Sequence, residues 1–379
     1  MIIKQIISHI DEEHSGPTNS VRALSEYMMM VNTDTELLCL NRKLEMLPTS
    51  GVNVRSFHHD HIFKKLGISK EMKSYFRDFQ QDAVLHSHGL WMMPNIYPLY
   101  VKGPALKILS PRGTLGKEAL KYSSFNKSLF WAFLQKKAFM MADAIHVTSH
   151  SELEEVRLAG FKKPIIVQPN GVMVMNCNLI HGMKIQRNKI EKKRAIFIGR
   201  IHPKKGLDLL LEAWSQSTTE GWQLDIFGIG EKSYVEKLKS IINLNKLQNV
   251  KINGPIYGEE KINTLSKYDV FILPTENENF GNVIAEALGC AVPVLTTKGA
   301  PWQLLEEYDA GWWVDRDRLS FKSALSKILQ KSKGELYHHG LNGHALMESQ
   351  FNWSEIAIRM LEAYQVLKTN SSFPDYIEK

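Results

Sequence analysis

The sequence predicts an α/β protein in which the same architecture is built twice. Three observations carry that reading: short apolar runs rich in Ile, Val and Leu recur along the 379 residues, helical patterns separate them, and a polar, basic stretch interrupts the alternation near the middle. Runs this short and continuous are strands buried on both faces, which means parallel sheet. In the first half the predicted strands are 2–7, 36–40, 52–57, 83–86, 106–109, 144–147 and 165–167; in the second they are 195–198, 223–227, 250–252, 270–273 and 292–295. Helical patterns lie between them at 21–30, 126–141, 207–214, 234–243 and 282–288.

The change of texture places the domain boundary. After the turn Pro169-Asn170-Gly171 comes a polar stretch ending in Glu191-Lys192-Lys193-Arg194, and a fresh strand follows. The predicted organisation is a first domain over 1–172, a linker over 173–193 and a second domain over 194–353. The last helix, 354–379, is expected to pack back on the first domain, with Ser354 as its N-cap and Ile356, Met360, Tyr364 and Leu367 on its apolar face.

Composition excludes several classes. An apolar share of 44% against 23% charged residues is enough to bury a core in each half. Cys39, Cys177 and Cys290 are odd in number and show no CxxC spacing, so neither a disulfide framework nor a zinc site is expected, and a reducing compartment fits. The amino-terminal apolar run is broken by Lys4 and His9, which excludes the apolar core of a signal peptide. No stretch reaches the ~18–20 apolar residues of a membrane span. The expected location is cytoplasmic, peripheral on the inner face of the plasma membrane where a membrane is met. The net charge of +7 is concentrated in the first half, at Lys64, Lys65, Lys70, Lys73, Lys102, Lys107, Lys117, Lys121, Lys127, Lys136 and Lys137. That surplus fits a phosphate-bearing ligand or phospholipid surface, or simply a solvated basic face; nucleic acid is not an expected partner.

The strongest chemical signal is Glu278-Asn279-Phe280-Gly281-Asn282-Val283-Ile284-Ala285-Glu286-Ala287. A strand ends just before it and a helix starts at about Asn282, so the loop lies at the carboxyl edge of a parallel sheet, where such sheets bind ligands. Gly281 permits close backbone approach, and the amides of Asn282 and Val283 at the helix start form an anion site. Glu278 before the helix and Glu286 one turn inside it are suited to two separate sets of hydroxyls. Upstream, Gly199-Arg200-Ile201-His202-Pro203-Lys204-Lys205-Gly206 brings Arg200 and Lys205 to another strand end, a pair of cations suited to a diphosphate.

The glutamate string resembles the E-x-F-G-x-x-x-x-E signature of glycosyltransferase family 4, a retaining family of GT-B fold with two Rossmann-like domains facing each other across a cleft. The resemblance implies that Glu278 contacts donor-sugar hydroxyls, that Glu286 holds the ribose, and that Arg200 and Lys205, matching the family's G-R-x-x-x-x-K-G element, neutralise the leaving diphosphate. His86-Ser87-His88-Gly89 resembles its H-x-H-G element, which places His88 beside the reacting carbon; two His at this spacing also permit a metal reading. Arg112, in Ser110-Pro111-Arg112-Gly113-Thr114, binds a donor or acceptor phosphate or pairs with a carboxylate. Gly16 follows the first strand where a phosphate would approach, although Glu13-His14 stands where the family has a richer glycine loop. Tyr257-Gly258, after Gly254-Pro255, resembles the seat of the nucleobase, and Gly228-Ile229-Gly230 resembles the family's glycine-bearing turn near the same pocket.

The function implied is metal-independent transfer of a hexose or N-acetylhexosamine, with no cofactor beyond a nucleoside diphosphate sugar, UDP-sugar being the first expectation. The implied acceptor is a glycan or polyprenyl-pyrophosphate-linked saccharide of a bacterial surface polysaccharide. Two other readings stand beside it: a sugar-nucleotide 2-epimerase of the same shape, which converts donor without acceptor, and a non-catalytic sugar- or nucleotide-binding protein, which turns nothing over. No G-x-G-x-x-G is present, which argues against a dinucleotide-dependent dehydrogenase. The segment from Phe125 to Met141 mixes Phe130, Trp131, Phe133, Leu134, Phe139 and Met140 with three lysines, and reads either as packed core or as a helix lying on an anionic membrane.

Overall fold

The computed structural model describes residues 1–10, 16–31, 33–40, 51–60, 66–115, 130–176, 178–182, 185 and 191–379. Glu13-His14-Ser15, Lys64, Lys65, Lys117, Lys121, the start of the helix expected over 126–141, Cys177 and most of the end of the expected linker lie outside the described residues. The chain divides into two compact units, Met1–Gly171 with Trp353–Lys379, and Val172–Asn352.

In the first unit, strands β1 (Ile2–Ile7), β2 (Asp34–Leu40), β3 (Asn53–Phe57), β4 (Ala83–His88), β5 (Leu106–Ser110), β6 (Ala144–Val147) and β7 (Ile165–Val167) lie parallel in the order β7-β6-β5-β4-β1-β2-β3. The short strand Ile377–Glu378 adds to the β7 edge antiparallel, so this sheet is not purely parallel as expected. The second unit has β8 (Lys193–Ile198), β9 (Trp222–Phe227), β10 (Val250–Asn253), β11 (Val270–Leu273), β12 (Val294–Thr297) and β13 (Gly311–Val314), all parallel, in the order β10-β9-β8-β11-β12-β13. In each unit the strand order reverses beside the first strand, between β1 and β4 and between β8 and β11. Loops leaving the carboxyl ends of those two strands diverge to opposite faces and open a crevice, the usual ligand position of such sheets.

Sequence explains most elements directly. The strand cores are Ile, Val, Leu and Phe with almost no exposure, such as Ile3, Ile6, Val84, Leu85, Phe197, Phe271 and Ile272. Helix starts carry their own acceptors: Ser69 accepts from the Met72 amide at 3.1 Å, and Ser332 with Glu335 forms a reciprocal capping box on the helix Lys333–Gln350. Strand β12 begins at Val294 rather than Val292, because Pro293 has no N–H to give the ladder and its carbonyl receives the Phe271 amide at 2.9 Å.

The last helix runs Trp353–Thr369, so Ser354 lies inside its first turn and is not the N-cap. Its Ile356, Met360 and Tyr364 are buried together with Ile3, Leu24, Met28, Val84 and Ile108 of the first unit, and Leu367 packs at the edge of that cluster. A Cβ on Gly171 would sit 2.4 Å from the Trp353 ring, so the chain can pass under that ring only as glycine.

The basic-aromatic segment divides in two. Trp131–Gln135 forms a single π-helical turn before the helix Lys136–Met141, and the extra residue per turn rotates the register. Phe139 and Ala138 enter the core, whereas Phe133 is 76% exposed and Leu134 39% exposed, beside exposed Lys136 and Lys137.

Candidate functional site

In the second unit, three loops meet at the carboxyl edge of the sheet. The loop after β8 carries Arg200, which is exposed, and then the short 3-10 turn Pro203–Lys205. The loop after β11 is pressed against it, with the Glu276 amide donating to the Lys204 carbonyl at 2.7 Å. The loop after β12 supplies the Gly299 carbonyl, which receives the Glu278 amide at 2.7 Å. The result brings Lys205 and Glu278 together as an ion pair, with side chains only 17% and 14% exposed. The Thr275 hydroxyl donates to the same Glu278 oxygen at 3.0 Å.

The turn into the helix Asn282–Gly289 is fixed by its neighbours. Gly281 adopts φ 82°, ψ 59°, a left-handed conformation that only glycine holds without strain. The Phe280 ring is buried against Trp302 and Phe351, with centroids 5.2 and 6.1 Å away, and the Trp302 indole donates to the Phe280 carbonyl at 2.5 Å. Phe280, expected among the donor-binding residues, thus turns its ring into the core and anchors the loop. Val283 also packs on the core by its side chain, so what it and Asn282 can present to a ligand is the backbone at the start of the helix.

Glu286 lies one turn inside that helix. One of its carboxylate oxygens accepts from Lys261 at 2.6 Å, and the other, Oε2, is buried with no hydrogen-bond partner among the described residues. A buried carboxylate oxygen left unpartnered is costly, and a ligand hydroxyl would satisfy it. Lys261 belongs to the helix Gly258–Leu265, which Tyr257 precedes, half-buried, so the expected nucleobase seat and Glu286 lie on adjoining elements. Gly228 has a packing reason of its own: a Cβ there would stand 2.0 Å from the Gly199 carbonyl oxygen, where the ends of β8 and β9 converge.

The first unit gathers a second group of polar residues at the carboxyl ends of β1, β4, β5 and β6, and all of them are buried. His88 Nε2 is 2.6 Å from Gln5 Oε1, and its Nδ1 is 3.0 Å from Arg112 Nη2. Arg112 also donates to Asn170 Oδ1 at 2.6 Å and is held at φ 57°. His86 contacts the Tyr364 hydroxyl through Nδ1 and the Ser110 hydroxyl through Nε2, each at 2.7 Å. Ser110 in turn meets His146 Nδ1 at 2.8 Å, and His146 Nε2 meets the Gln168 carbonyl at 2.8 Å.

Burial, reinforced by the neighbouring His86 and Arg112, holds the His88 imidazole well below its usual pKa. Burial likewise lowers His86, and brings His146 to about 3. Arg112 drops to about 10 by burial, against the opposing pull of the buried Glu152. Glu152 accepts from the Gly113 and Thr148 amides at 2.6 and 2.8 Å and so clamps the Arg112 loop without touching the guanidinium through a hydrogen bond. Both ring nitrogens of His86 and of His88 have protein partners. Among the described residues no group of three His, Cys, Asp or Glu is arranged to hold a metal ion. Gly16 opens the helix Gly16–Met30, and the residues just before it lie outside those described.

Comparison with known proteins bears first on the unit that carries the glutamates. Residues 192–331 match the family model described as "Glycosyl transferases group 1". The matched residues lie within the unit Val172–Asn352, which is similar to that family. The whole chain has the GT-B fold of two Rossmann-like domains, as its strand orders indicate and its structural neighbours bear out: it aligns over 96% of its length with 99% of Anabaena HepE, solved in complex with UDP and glucose, at TM-score 0.72 and 15% identity. Among curated relatives it is 26% identical over 276 residues to a probable sucrose-phosphate synthase of Thermosipho melanesiensis, covering 69% of this chain and 59% of that protein. It is 24% identical over 240 residues to the capsular polysaccharide biosynthesis glycosyltransferase CapM of Staphylococcus aureus, covering 59% of this chain and 62% of CapM. The alignments therefore span about three-fifths of these relatives.

In the second unit, Arg200, Lys205, Glu278, Gly281, Asn282, Val283 and Glu286 come from two neighbouring strand ends, those of β8 and β11, and from the helix that follows β11. His88 and Arg112 come together in the first unit. Sequence reasoning missed Gln5, His146, Thr275, Glu152 and Lys261. Gln5 was legible as the second polar residue inside an otherwise apolar strand, and Glu152 as an acid one turn into a helix capped by Ser149.

Proposed function

We propose that the chain is a retaining, metal-independent glycosyltransferase that moves a hexose or N-acetylhexosamine from a nucleoside diphosphate sugar to a hydroxyl of a glycan acceptor. The observation that carries this reading is the Lys205–Glu278 pair beside a helix start, with the unpartnered Glu286 oxygen one turn further on. A nucleoside diphosphate sugar answers each part. Its phosphates replace Glu278 as the partner of Lys205 and take Arg200 and the helix-start amides. Its sugar hydroxyls occupy Glu278, and its ribose donates to Glu286 Oε2.

Transfer needs stabilisation of the diphosphate as negative charge grows on it, and the two cations with the helix start provide that where it develops. No side chain has to act as a base, because the departing phosphate oxygen can take the acceptor's proton. UDP is the first donor nucleotide to test, since HepE was solved with UDP. CapM, by its name, serves capsular polysaccharide biosynthesis, and we extend a lipid-linked saccharide acceptor of that kind to this chain. Exposed Phe133 and Leu134 beside Lys136 and Lys137 support contact with an anionic membrane surface, on the cytoplasmic side where nucleotide sugars are made.

The test is release of nucleoside diphosphate from a panel of sugar nucleotides with polyprenyl-pyrophosphate saccharides as acceptors, with and without EDTA, followed by NMR of the product's anomeric proton. The proposal expects one donor to be consumed only with acceptor present, EDTA to have no effect, and the donor's anomeric configuration to be kept. Epimerisation of a donor without acceptor, or tight binding with no turnover, would overturn it.

A further inference from the structure

The buried polar residues of the first unit form a continuous path whose direction is fixed at both ends. Arg112 can only donate, so His88 Nδ1, 3.0 Å from its Nη2, must be an unprotonated acceptor. The proton of a neutral His88 is then on Nε2 and is donated to Gln5 Oε1 at 2.6 Å. That orients the Gln5 amide so that its Nε2 faces the Tyr364 hydroxyl at 3.4 Å and Met28 Sδ at 3.3 Å.

At the other end the Gln168 carbonyl can only accept, so His146 carries its proton on Nε2 and takes the Ser110 hydroxyl proton on Nδ1. Ser110 therefore accepts from His86 Nε2, which leaves His86 Nδ1 to accept from Tyr364. The two halves meet at one atom. The Tyr364 hydroxyl accepts from Gln5 and donates to His86, and every link from Arg112 to Gln168 runs the same way. A proton added to His88 would face Arg112, and one added to His86 would face the hydroxyl that donates to it. The arrangement is consistent only with three neutral rings, in keeping with their complete burial.

We infer that Tyr364, on the last helix, is a positioning residue: its hydroxyl joins the two halves of this one-way chain and holds the Gln5 amide to which His88 donates, while Arg112 faces the other His88 nitrogen. The inference rests on the proposed transferase reading for its consequence in catalysis; the proton placement does not. Tyr364 is fully buried, so Tyr364→Phe keeps the ring's packing and removes only the hydroxyl. It leaves His86 Nδ1 without a donor and the Gln5 NH2 group with Met28 Sδ as its remaining acceptor.

The experiment is ¹⁵N NMR of the histidine rings in the full-length protein and in Tyr364→Phe, beside steady-state kinetics. In the unsubstituted protein His86, His88 and His146 should each read as the neutral Nε2-protonated tautomer from pH 7.5 to 5.5. In Tyr364→Phe the His88 ring proton should exchange with water about tenfold faster, and kcat should fall about tenfold while donor KM changes less than about twofold, as expected for one buried hydrogen bond that aligns rather than binds. A His88 protonated on Nδ1 or on both nitrogens in the unsubstituted protein would overturn the chain. So would a Tyr364→Phe protein whose His88 exchange is unchanged, whatever its kcat. Ring states as stated, in a protein that transfers no sugar, would keep the chain and reject the transferase reading.

Discussion

Lys205→Met should lower the rate of sugar transfer by about 10²–10³-fold, on the order of 3–4 kcal/mol at the transition state, because in the proposed transfer the lost charge faces the diphosphate where its negative charge develops. The same change removes an ion pair, yet both partners keep some solvent contact and Thr275 still donates to Glu278. The accompanying loss of stability should therefore be about 1–3 kcal/mol, and a parallel unfolding measurement separates the two effects. Glu278→Gln should also fall steeply, by removing the acceptor for sugar hydroxyls, and the double variant should be little worse than the worse single one, since the two residues act on one bound donor. Kinetics with a saturating acceptor, alongside the midpoint of urea unfolding, gives both numbers. A rate loss under tenfold in Lys205→Met, or one that simply follows the unfolded fraction, would remove Lys205 from the reaction.

The second large effect is on stability. His86, His88 and His146 are neutral when folded and ordinary histidines when unfolded, so below about pH 6.5 the unfolded chain binds protons that the folded chain refuses. The stability they contribute is complete above that pH and is lost as the pH falls towards the folded values, about 3 for His146. Each histidine adds at most about 1.4 kcal/mol per pH unit between its unfolded and folded pKa, a window that for His146 runs from about 6.5 to about 3, and the three add in the same direction. Glu155 works the other way. Burial beside Glu152 raises it to about 7, so it binds a proton on folding between about 4.5 and 7, but it is half-exposed and its contribution is screened. Urea midpoints at pH 7.5, 6.0 and 5.0 should show a steep net loss, large against the ~5–15 kcal/mol of a typical domain. A flat profile over that range would mean that the rings accept protons in place, and the hydrogen-bond chain described above would fail with it.

The parallel sheets were legible because their strands are short, β-branched and bounded by turns, and strand ends were set by features the pattern does not weigh. β4 runs past His86 to His88 because His88 still pairs with Ile7, so a polar residue near a strand end was read as the end itself. β13 went unread: Gly311-Trp312-Trp313-Val314 is half-exposed over most of its length and carries a glycine, which weakens the apolar-run signal.

The glutamate and Arg-Lys strings were legible as chemistry because charged residues beside glycines at strand ends have few structural uses. Aromatic residues carry no such signature. Phe280 sits inside the glutamate string and turns into the core, whereas Tyr364 was counted on an apolar face and its hydroxyl proves to be the junction of a buried polar chain. A helix pattern records which face is buried and not what a phenol at its tip will meet. The basic-aromatic segment defeated a single reading because a π-helical turn lets neighbouring aromatics diverge, Phe139 inward and Phe133 outward.

The most direct test of the donor site is amide hydrogen exchange along the chain with and without a nucleoside diphosphate, using UDP first and GDP second. Binding at the three converging loops predicts slowed exchange at 199–206 and 278–286, and loss of that protection in Glu286→Gln. Protection confined to other segments, or none with either nucleotide at millimolar concentration, would contradict the account.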